Sequence, residues 1–208
     1  MSASVSVGDE CVWLSTGSAE ALRGALVRYL RERGEHEAAL GARVIVALEL
    51  MWPADLAADL EPYDDPEVRA LLSPAWLALA RDVASPHPRL VHEVEWDRLD
   101  RPIRIMWVAS LLRISRAWAG IDLTDELTSE WSTADRTRLD VWLAETAIER
   151  AWARFYGTPS AEHRSELEEA LEAQMAVAHH ADSDLLTSVH AAHNRMRRRA
   201  DQHAAGMR

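Results

Sequence analysis

The hydrophobic positions of residues 101–120 recur at the spacing of an α-helix and cover most of its circumference. Ile103, Trp107, Leu111, Ile114 and Trp118 fall at i, i+4, i+8, i+11 and i+15, which places them on one helix face. A helix that is apolar nearly all round is usually buried at the centre of a bundle. The pattern therefore predicts a central helix around which the other segments pack.

Gly, Pro, Ser and Asp residues divide the rest of the chain into further segments with helical periodicity. The connections between them are short, which is typical of antiparallel helix neighbours. The sequence therefore predicts an all-α fold, an irregular bundle of about seven to nine helices around the central helix at 101–120. We expect an N-terminal arm at 1–17, a single helical domain at 18–200 and a frayed C-terminal tail at 201–208.

Two segments alternate apolar and polar residues, as strands do. One lies within residues 3–14, and the other runs from Leu90 to Trp96. If the two segments pair, they form a short two-strand ribbon beside the helices, although isolated ribbons are only marginally stable.

Proline and glycine residues predict two further local features. Ser73-Pro74 predicts a break between one helix that ends at Leu72 and a second helix that follows it. Gly24 and Gly41 lie inside predicted helices, where glycine costs about 1 kcal/mol relative to alanine. We expect close approach of a neighbouring helix to compensate for this cost.

The predicted helix pair at 18–53 contains a spaced set of aromatic and small residues: Tyr29, Gly34, His36, Ala39, Ala47 and Pro53. With these residues the pair resembles a single tetratricopeptide-type hairpin, although Ala47 and Pro53 each stand about one place from the family pattern. No second copy follows at a period near 34, and such repeats need roughly three copies to bury a continuous core. The resemblance implies a helical hairpin of a kind used for protein contacts, not a solenoid.

The composition is that of an acidic polypeptide with enough apolar residues for a core. Of 208 residues, 48% are hydrophobic, and 34 acidic against 23 basic residues give a formal net charge of −11. This balance argues against nucleic-acid binding, because phosphate contacts need clustered cations. A single cysteine, Cys11, excludes an internal disulfide framework and is typical of a cytoplasmic protein. No apolar run is long enough for a membrane span.

The chain contains nine tryptophans and one phenylalanine. Because the tryptophans are spread along the chain at helical spacing, we expect them to fill the core as large aromatic residues. The alternative is a Trp-lined pocket or a Trp-rich contact surface.

Histidines cluster around the predicted turn between the last two helices. His190 and His193 form a His-x-x-His pair, which places two imidazoles on adjacent ridges of one helix and can hold zinc or iron. His180 lies beside the turn and is a third candidate ligand. We expect these histidines to be exposed on the hairpin and to hold no cofactor, and a bound transition metal is the alternative.

Acidic residues concentrate in two stretches. Residues 49–67 contain seven acidic residues and no basic one, and residues 120–186 contain 15 acidic and 5 basic residues. Such surfaces attract a basic partner. The candidate partner-binding residues are Asp55, Asp59, Glu61, Asp64, Glu166 and Glu169. Within residues 49–67, the sequence Asp65-Pro66-Glu67 also predicts the capped start of a helix.

These features favour a binding protein over an enzyme. The chain has no Gly-x-Ser-x-Gly, no P-loop and no Gly-x-Gly-x-x-Gly motif. We expect an acidic cytoplasmic helical protein that binds or regulates a basic protein partner, as an inhibitor, immunity-type factor or adaptor. The alternative is a small helical-bundle enzyme or ligand-binding protein with a Trp-lined pocket, assisted by a metal at His190 and His193.

Overall fold

The computed structural model describes residues 2–7, 10–50, 65–91 and 100–206. In this part of the chain the predicted all-α helical bundle is confirmed, and a short strand pair precedes it. The elements are β1 (Ser2–Val7), β2 (Glu10–Ser15), α1 (Thr16–Glu32), a 3₁₀ turn (Glu35–Glu37), α2 (Ala39–Leu50), α3 (Pro66–Ala84), α4 (Arg101–Ala119), α5 (Thr124–Thr128), α6 (Thr133–Gly157), α7 (Ala161–Ala178) and α8 (Ser183–Gly206). None of the helices in these ranges is both long and apolar enough to cross a membrane.

The chain forms two compact units, Met1–Glu130 and Trp131–Arg208. The range 18–200, which we expected as a single domain, therefore contains a boundary between two units. The first unit includes the strands and α1–α5, and the second includes α6–α8.

Helix α4 lies at the centre of the first unit. From Ile105 to Ser115 its side chains are buried, apart from the half-buried Met106. It packs against α3 and against the strands. The indole Nε1 of Trp107 donates a hydrogen bond to the hydroxyl of Ser18 at 2.9 Å, so the central helix is tied to the first turn of α1. The expected solvent-shielded central helix is confirmed over these residues. Ile103, at the start of the predicted apolar face, is 36% exposed, and the side chain of Trp118 lies outside the described part.

The ends of α1 and α4 follow local rules. Gly120 closes α4 with a positive φ of 66°. Asp100 stands at the N-cap position of α4, but its side chain makes no capping hydrogen bond. Ser15 caps α1, because its hydroxyl accepts the backbone N–H of Ser18 at 3.1 Å.

Strands β1 and β2 pair with each other as an antiparallel hairpin, with Val5 opposite Val12. The N-terminal arm is thus an ordered ribbon over these strands. Only residues 8–9 separate the strands, and closing so short a loop costs little entropy. The other predicted strand, Leu90 to Trp96, lies outside the described residues from position 92 onward.

Helix α3 runs through Pro74 without a break, so the predicted division at Ser73-Pro74 is wrong. Leu72, Trp76 and Leu79 are buried on one face on both sides of the proline. Burying each large apolar side chain contributes about 1.5–3 kcal/mol. Together these contributions exceed the cost of about 3 kcal/mol for proline in a helix interior.

Gly41 lies in close contact with the 3₁₀ turn that precedes α2. A Cβ atom at position 41 would stand 2.0 Å from the backbone oxygen of Glu35, whereas a Cβ at Gly24 would meet nothing within 4 Å. The expected close approach therefore exists at Gly41, where its partner is a turn and not a helix. It is absent at Gly24.

The second unit is a three-helix bundle with two apolar clusters along its length. Val141, Ala178 and Val189 form one cluster. The other is larger and consists of Ile148, Ala151, Phe155, Leu167, Leu171 and Ala200.

Helix α8 continues to Gly206, so the expected frayed tail at 201–208 is helical over residues 201–206. Two contacts hold this last part. A ring nitrogen of His203 lies 2.9 Å from the backbone oxygen of Tyr156, and the two rings stack at 4.4 Å. Asp201 pairs with Arg164 of α7 at 3.1 Å. Because these contacts are tertiary, the local sequence pattern did not indicate them.

Candidate functional site

A surface groove of about 600 Å³ runs along α3 in the first unit. Its long wall is the outward face of α3 from Pro66 to Arg81. Its other side is formed by Tyr29 of α1 and by Ala119 and Ile121 at the end of α4. We call this feature the α3 groove.

The wall of the α3 groove follows from the helical period of α3. Pro66, Arg69, Ser73, Leu77 and Arg81 recur every three or four positions and share one face of the helix. The opposite face carries the apolar residues that anchor α3 in the core of the unit: Val68, Leu72, Ala75, Trp76, Leu79, Ala80 and Val83. The amphipathic pattern thus fixes which side of α3 remains open.

The middle of the wall consists of small residues and an altered backbone. Ala70, Ser73, Pro74 and Ala78 leave the helix backbone close to the groove. Pro74 has no N–H, so it cannot donate to the carbonyl of Ala70 as another residue of a helix would. The Ser73 hydroxyl donates to the carbonyl of Arg69 at 2.7 Å. A bound molecule can therefore approach the helix backbone closely here, and the carbonyl of Ala70 can accept a hydrogen bond from it.

Both ends of the groove contain an arginine. Arg69 lies near the first turn of α3, and Arg81 lies near the last. Arg81 contacts Glu126 of α5 through Nε and Nη2, at 2.6 and 3.1 Å. This hydrogen-bonded pair raises the pKa of Arg81 and lowers the pKa of Glu126, so both groups are charged near neutral pH.

Four of the predicted partner-binding residues, Asp55, Asp59, Glu61 and Asp64, lie outside the described residues. The adjoining Asp65 is the N-cap of α3, where its side chain accepts the backbone N–H of Glu67 at 2.8 Å. Its role there is local and structural, as the sequence indicated.

The other two, Glu166 and Glu169, lie on the outward face of α7 together with Glu162 and Glu172. The buried face of the same helix contains Leu167, Leu171, Gln174 and Ala178. Glu166 pairs with Arg154 at 2.9 Å, and Glu169 accepts a hydrogen bond from Ser165 at 3.3 Å. The two predicted residues therefore share one acidic helix face, part of whose charge is neutralised.

The three candidate metal ligands are not brought together. His193 is buried, and its Nε2 lies 2.6 Å from Oε1 of Gln174. His180 and His190 are exposed, and the ring centroid of His190 lies 6.5 Å from that of His179. No group of three His, Cys, Asp or Glu side chains within the described ranges is arranged to hold a metal ion. The fold has turned His193 inward, which the His-x-x-His spacing did not reveal.

No tryptophan is found among the described residues that line the α3 groove, so these residues do not form the expected Trp-lined pocket. Trp76 and Trp107 instead lie in the core of the first unit, and each is at most 2% exposed. For these two residues the core interpretation of the tryptophans is confirmed.

The sequence pattern did not indicate the α3 groove. Its only local signal is the set of small residues opposite the apolar face of α3, a pattern that also fits an ordinary solvent-exposed helix surface. No protein-family model, no curated protein and no solved structure matches the chain.

Proposed function

We propose that this protein is a binding protein whose α3 groove accepts a helical segment of a partner protein. The observation that supports this proposal is the outward face of α3, which stays accessible from Pro66 to Arg81 while the opposite face is buried. At 1.5 Å per residue this face is about 22 Å long. An accessible face of that length suits the mode in which an amphipathic helix lies in a groove of its partner.

The side chains in the middle of the groove suit a packed helix. Two helices pack with their axes about 8–10 Å apart, and the separation depends on the side chains at the contact. Ala70, Ser73 and Ala78 are small enough for the close end of that range. The open shape of the groove suits a ridge of side chains from another helix better than an enclosed small molecule.

The chemistry of the lining favours binding over catalysis. Among the lining residues that the structure describes, none is His, Cys, Asp or Glu, so no carboxylate or imidazole base is found among them. The hydroxyl of Ser73, a candidate nucleophile, donates to a backbone carbonyl, and no such base stands beside it among these residues.

The basic partner predicted from the acidic stretches stays a prediction for a different surface. The outward face of α7, with Glu162, Glu169 and Glu172, supports it. The α3 groove differs from that face in both shape and charge, so the two surfaces would select different partners.

Obstruction of the groove tests the proposal. Ala70→Trp places an indole in the groove from an exposed position, so the core of α3 is not disturbed. Ala173→Trp on the exposed face of α7 is the matched control. Wild-type and variant chains are used to capture proteins from the cells of origin, and a photoreactive residue at position 70 identifies the contacted segment.

We expect a protein that is captured by the wild-type chain and the control but lost with Ala70→Trp. Its crosslink should map to a segment with helical periodicity. If all three chains capture the same set of proteins, and crosslinks from position 70 stay within the chain itself, the proposal is wrong.

A further inference from the structure

We infer that two copies of this chain associate through the α7–α8 hairpin, with α7 of each copy packed against α8 of the other. The two helices differ in charge. Helix α7 contains five glutamates and one arginine, whereas α8 contains four arginines and two aspartates. A surface with one acidic and one basic helix can be complementary to itself, because each helix can face the other kind in a second copy. The α3 groove has no part in this inference.

A row of accessible positions follows α7 and its C-cap at the spacing of a helix-packing seam. Its members recur every three or four residues and are exposed, apart from the half-buried Glu168: Ala161, Ser165, Glu168, Glu172, Ala176 and His179. The two glutamates stand in the middle of the row, with small residues on both sides of them. Small side chains let a second helix approach to the lower end of the usual axis separation of about 8–10 Å.

Helix α8 has a matching row with the same spacing. All its members are exposed: Thr187, Ala191, Asn194, Arg198, Asp201 and Ala205. In the part of the chain that the structure describes, the side chains of Arg198 and of Glu172 in the α7 row form no ion pair. Each row therefore presents one charge that is available to a partner.

Two ion pairs show that the rows lie side by side. Glu168 of the α7 row pairs with Arg197 of α8 at 2.7 Å. Asp201 of the α8 row pairs with Arg164 of α7 at 3.1 Å. The two rows therefore form one surface, which we call the α7–α8 face, and the order of the pairs shows that the helices are antiparallel.

The same ion pairs fix the heights of the two available charges along the hairpin. Glu172 lies four residues beyond Glu168, and Arg198 lies one residue beyond Arg197 in the opposite direction, so they differ in height by about 8 Å. Long side chains on a helix lean toward its N-terminus. In antiparallel helices Arg198 and Glu172 therefore lean toward each other's height.

A two-fold axis parallel to the helices satisfies both rows at once. Such an axis keeps every height and exchanges α7 with α8 across the interface. Arg198 of each copy then faces Glu168 and Glu172 of the other, and the small residues at the ends of the rows meet each other. A foreign basic partner would satisfy the glutamates alone and would place like charge against Arg198.

The size of the α7–α8 face sets the expected strength of association. A row from residue 161 to residue 179 is about 27 Å long, and two adjacent helices are about 20 Å wide, which gives about 500 Å² per copy. The total of about 1,000 Å² is near the lower limit for a specific interface, so we expect a micromolar dissociation constant. The net charge of −11 opposes association, although physiological salt screens charges beyond about 8 Å.

Two charge reversals test the inference by sedimentation equilibrium of the full-length chain. Glu172→Arg places like charge beside Arg198 of the other copy, and Arg198→Glu places like charge beside Glu168 and Glu172. Each variant should raise the dissociation constant of the dimer by about 10-fold or more, because each change occurs twice in the interface. Glu172→Arg reduces the net charge of the chain, so its effect cannot come from overall repulsion.

Arg199→Glu is the matched control. Arg199 is exposed and lies four positions before His203, which contacts the backbone oxygen of Tyr156 in α6. It therefore lies on the side of α8 toward α6, away from the α7–α8 face. The control changes the net charge as Arg198→Glu does, and it should leave the dimer unchanged.

A mixture of the two reversed chains distinguishes this interface from any other. In an equimolar mixture of Glu172→Arg and Arg198→Glu, glutamate faces arginine at both symmetry-related sites, so a heterodimer should form with about the affinity of the wild-type dimer. The double variant should likewise recover the homodimer. Circular dichroism verifies that each variant is folded.

The inference is overturned by a wild-type chain that stays monomeric up to about 1 mM. It is also overturned by a dimer that neither reversal weakens, or by reversed chains whose mixture stays monomeric. None of these results bears on the α3 groove, because Ala70→Trp leaves the α7–α8 face unchanged and the capture experiment does not require a dimer.

Discussion

Nε2 of His193 lies 2.6 Å from Oε1 of Gln174, between the two apolar clusters of the three-helix unit. Gln174 in turn donates through Nε2 to the backbone oxygen of Val141 at 2.9 Å. Because Oε1 of an amide accepts, Nε2 of the neutral histidine carries the proton. One buried polar layer thus joins all three helices of the unit.

This polar layer makes the stability of the second unit dependent on pH. The pKa of His193 is lowered mainly by burial, and further by the positive charges of Arg197 and His190, against the opposing charge of Glu168. Its Nδ1 is buried and has no hydrogen-bond partner within the part of the chain that the structure describes. Protonation would therefore place an unpaired N–H and a positive charge in the core.

The sign of the effect follows from the two pKa values. An unfolded histidine titrates near pH 6.5, above the lowered value of His193 in the fold. The unfolded chain therefore binds the proton first, and stability falls as pH decreases from about 7 toward the folded-state pKa. Urea unfolding followed by circular dichroism between about pH 8 and pH 5 measures this slope.

Two variants test whether His193 causes this loss of stability on acidification. His193→Gln keeps a donor toward Gln174 but cannot titrate, so its loss of stability on acidification should be smaller than that of the wild-type chain. His180→Gln removes an exposed histidine and should keep the wild-type slope. Equal slopes for wild type and His193→Gln would contradict this account of the polar layer.

Replacement of two helical glycines by alanine should change stability in opposite directions. Gly24→Ala meets open space and should raise the free energy of unfolding by about 0.5–1 kcal/mol. Gly41→Ala would clash with the backbone of Glu35, and the shift it forces should cost about 1–3 kcal/mol. Thermal unfolding of both variants tests the pair, and a gain in stability for Gly41→Ala would show that the contact with the 3₁₀ turn is not tight.

The contribution of the hydrogen bond from Trp107 to Ser18 can be measured by changing the two residues singly and together. Ser18→Ala leaves a buried indole N–H without its acceptor and should destabilise the protein by about 1–3 kcal/mol. Combining it with Trp107→Phe should cost less than the sum of the single changes, because both remove the same bond. Ser188→Ala, at an exposed position, should stay within about 0.5 kcal/mol of wild type. Strict additivity of the pair would argue against the bond.

The last turns of α8 should depend on His203. His203→Ala removes the contact with the Tyr156 carbonyl and the ring stack, so amide exchange should accelerate for residues 201–206. Residues 185–195 should exchange as in the wild-type chain. The control is Gln202→Ala, an exposed neighbour, and faster exchange of the tail in that variant as well would mean that the terminus frays whatever His203 does.

Much of the helical fold could be predicted from the sequence, because helices are specified by short-range signals. The central helix was predicted at 101–120 and is observed at Arg101–Ala119, a difference within the usual uncertainty of helix ends. The prediction at Pro74 failed because burial of the opposite face of α3 outweighs a local backbone penalty. The same reason explains Gly24 and Gly41, since only the packing distinguishes open space from a close contact.

The sequence by itself determined the helical class, the positions of most helices and which face of each is apolar, because these depend on residues within a few turns of one another. Only the tertiary structure decided that His193 faces Gln174 instead of a metal, that residues 201–206 are held in a helix, and that one side of α3 remains open as a groove. These features depend on side chains that are distant in sequence and come together only when the helices pack. The pattern along the chain identifies such residues by type but does not identify their neighbours.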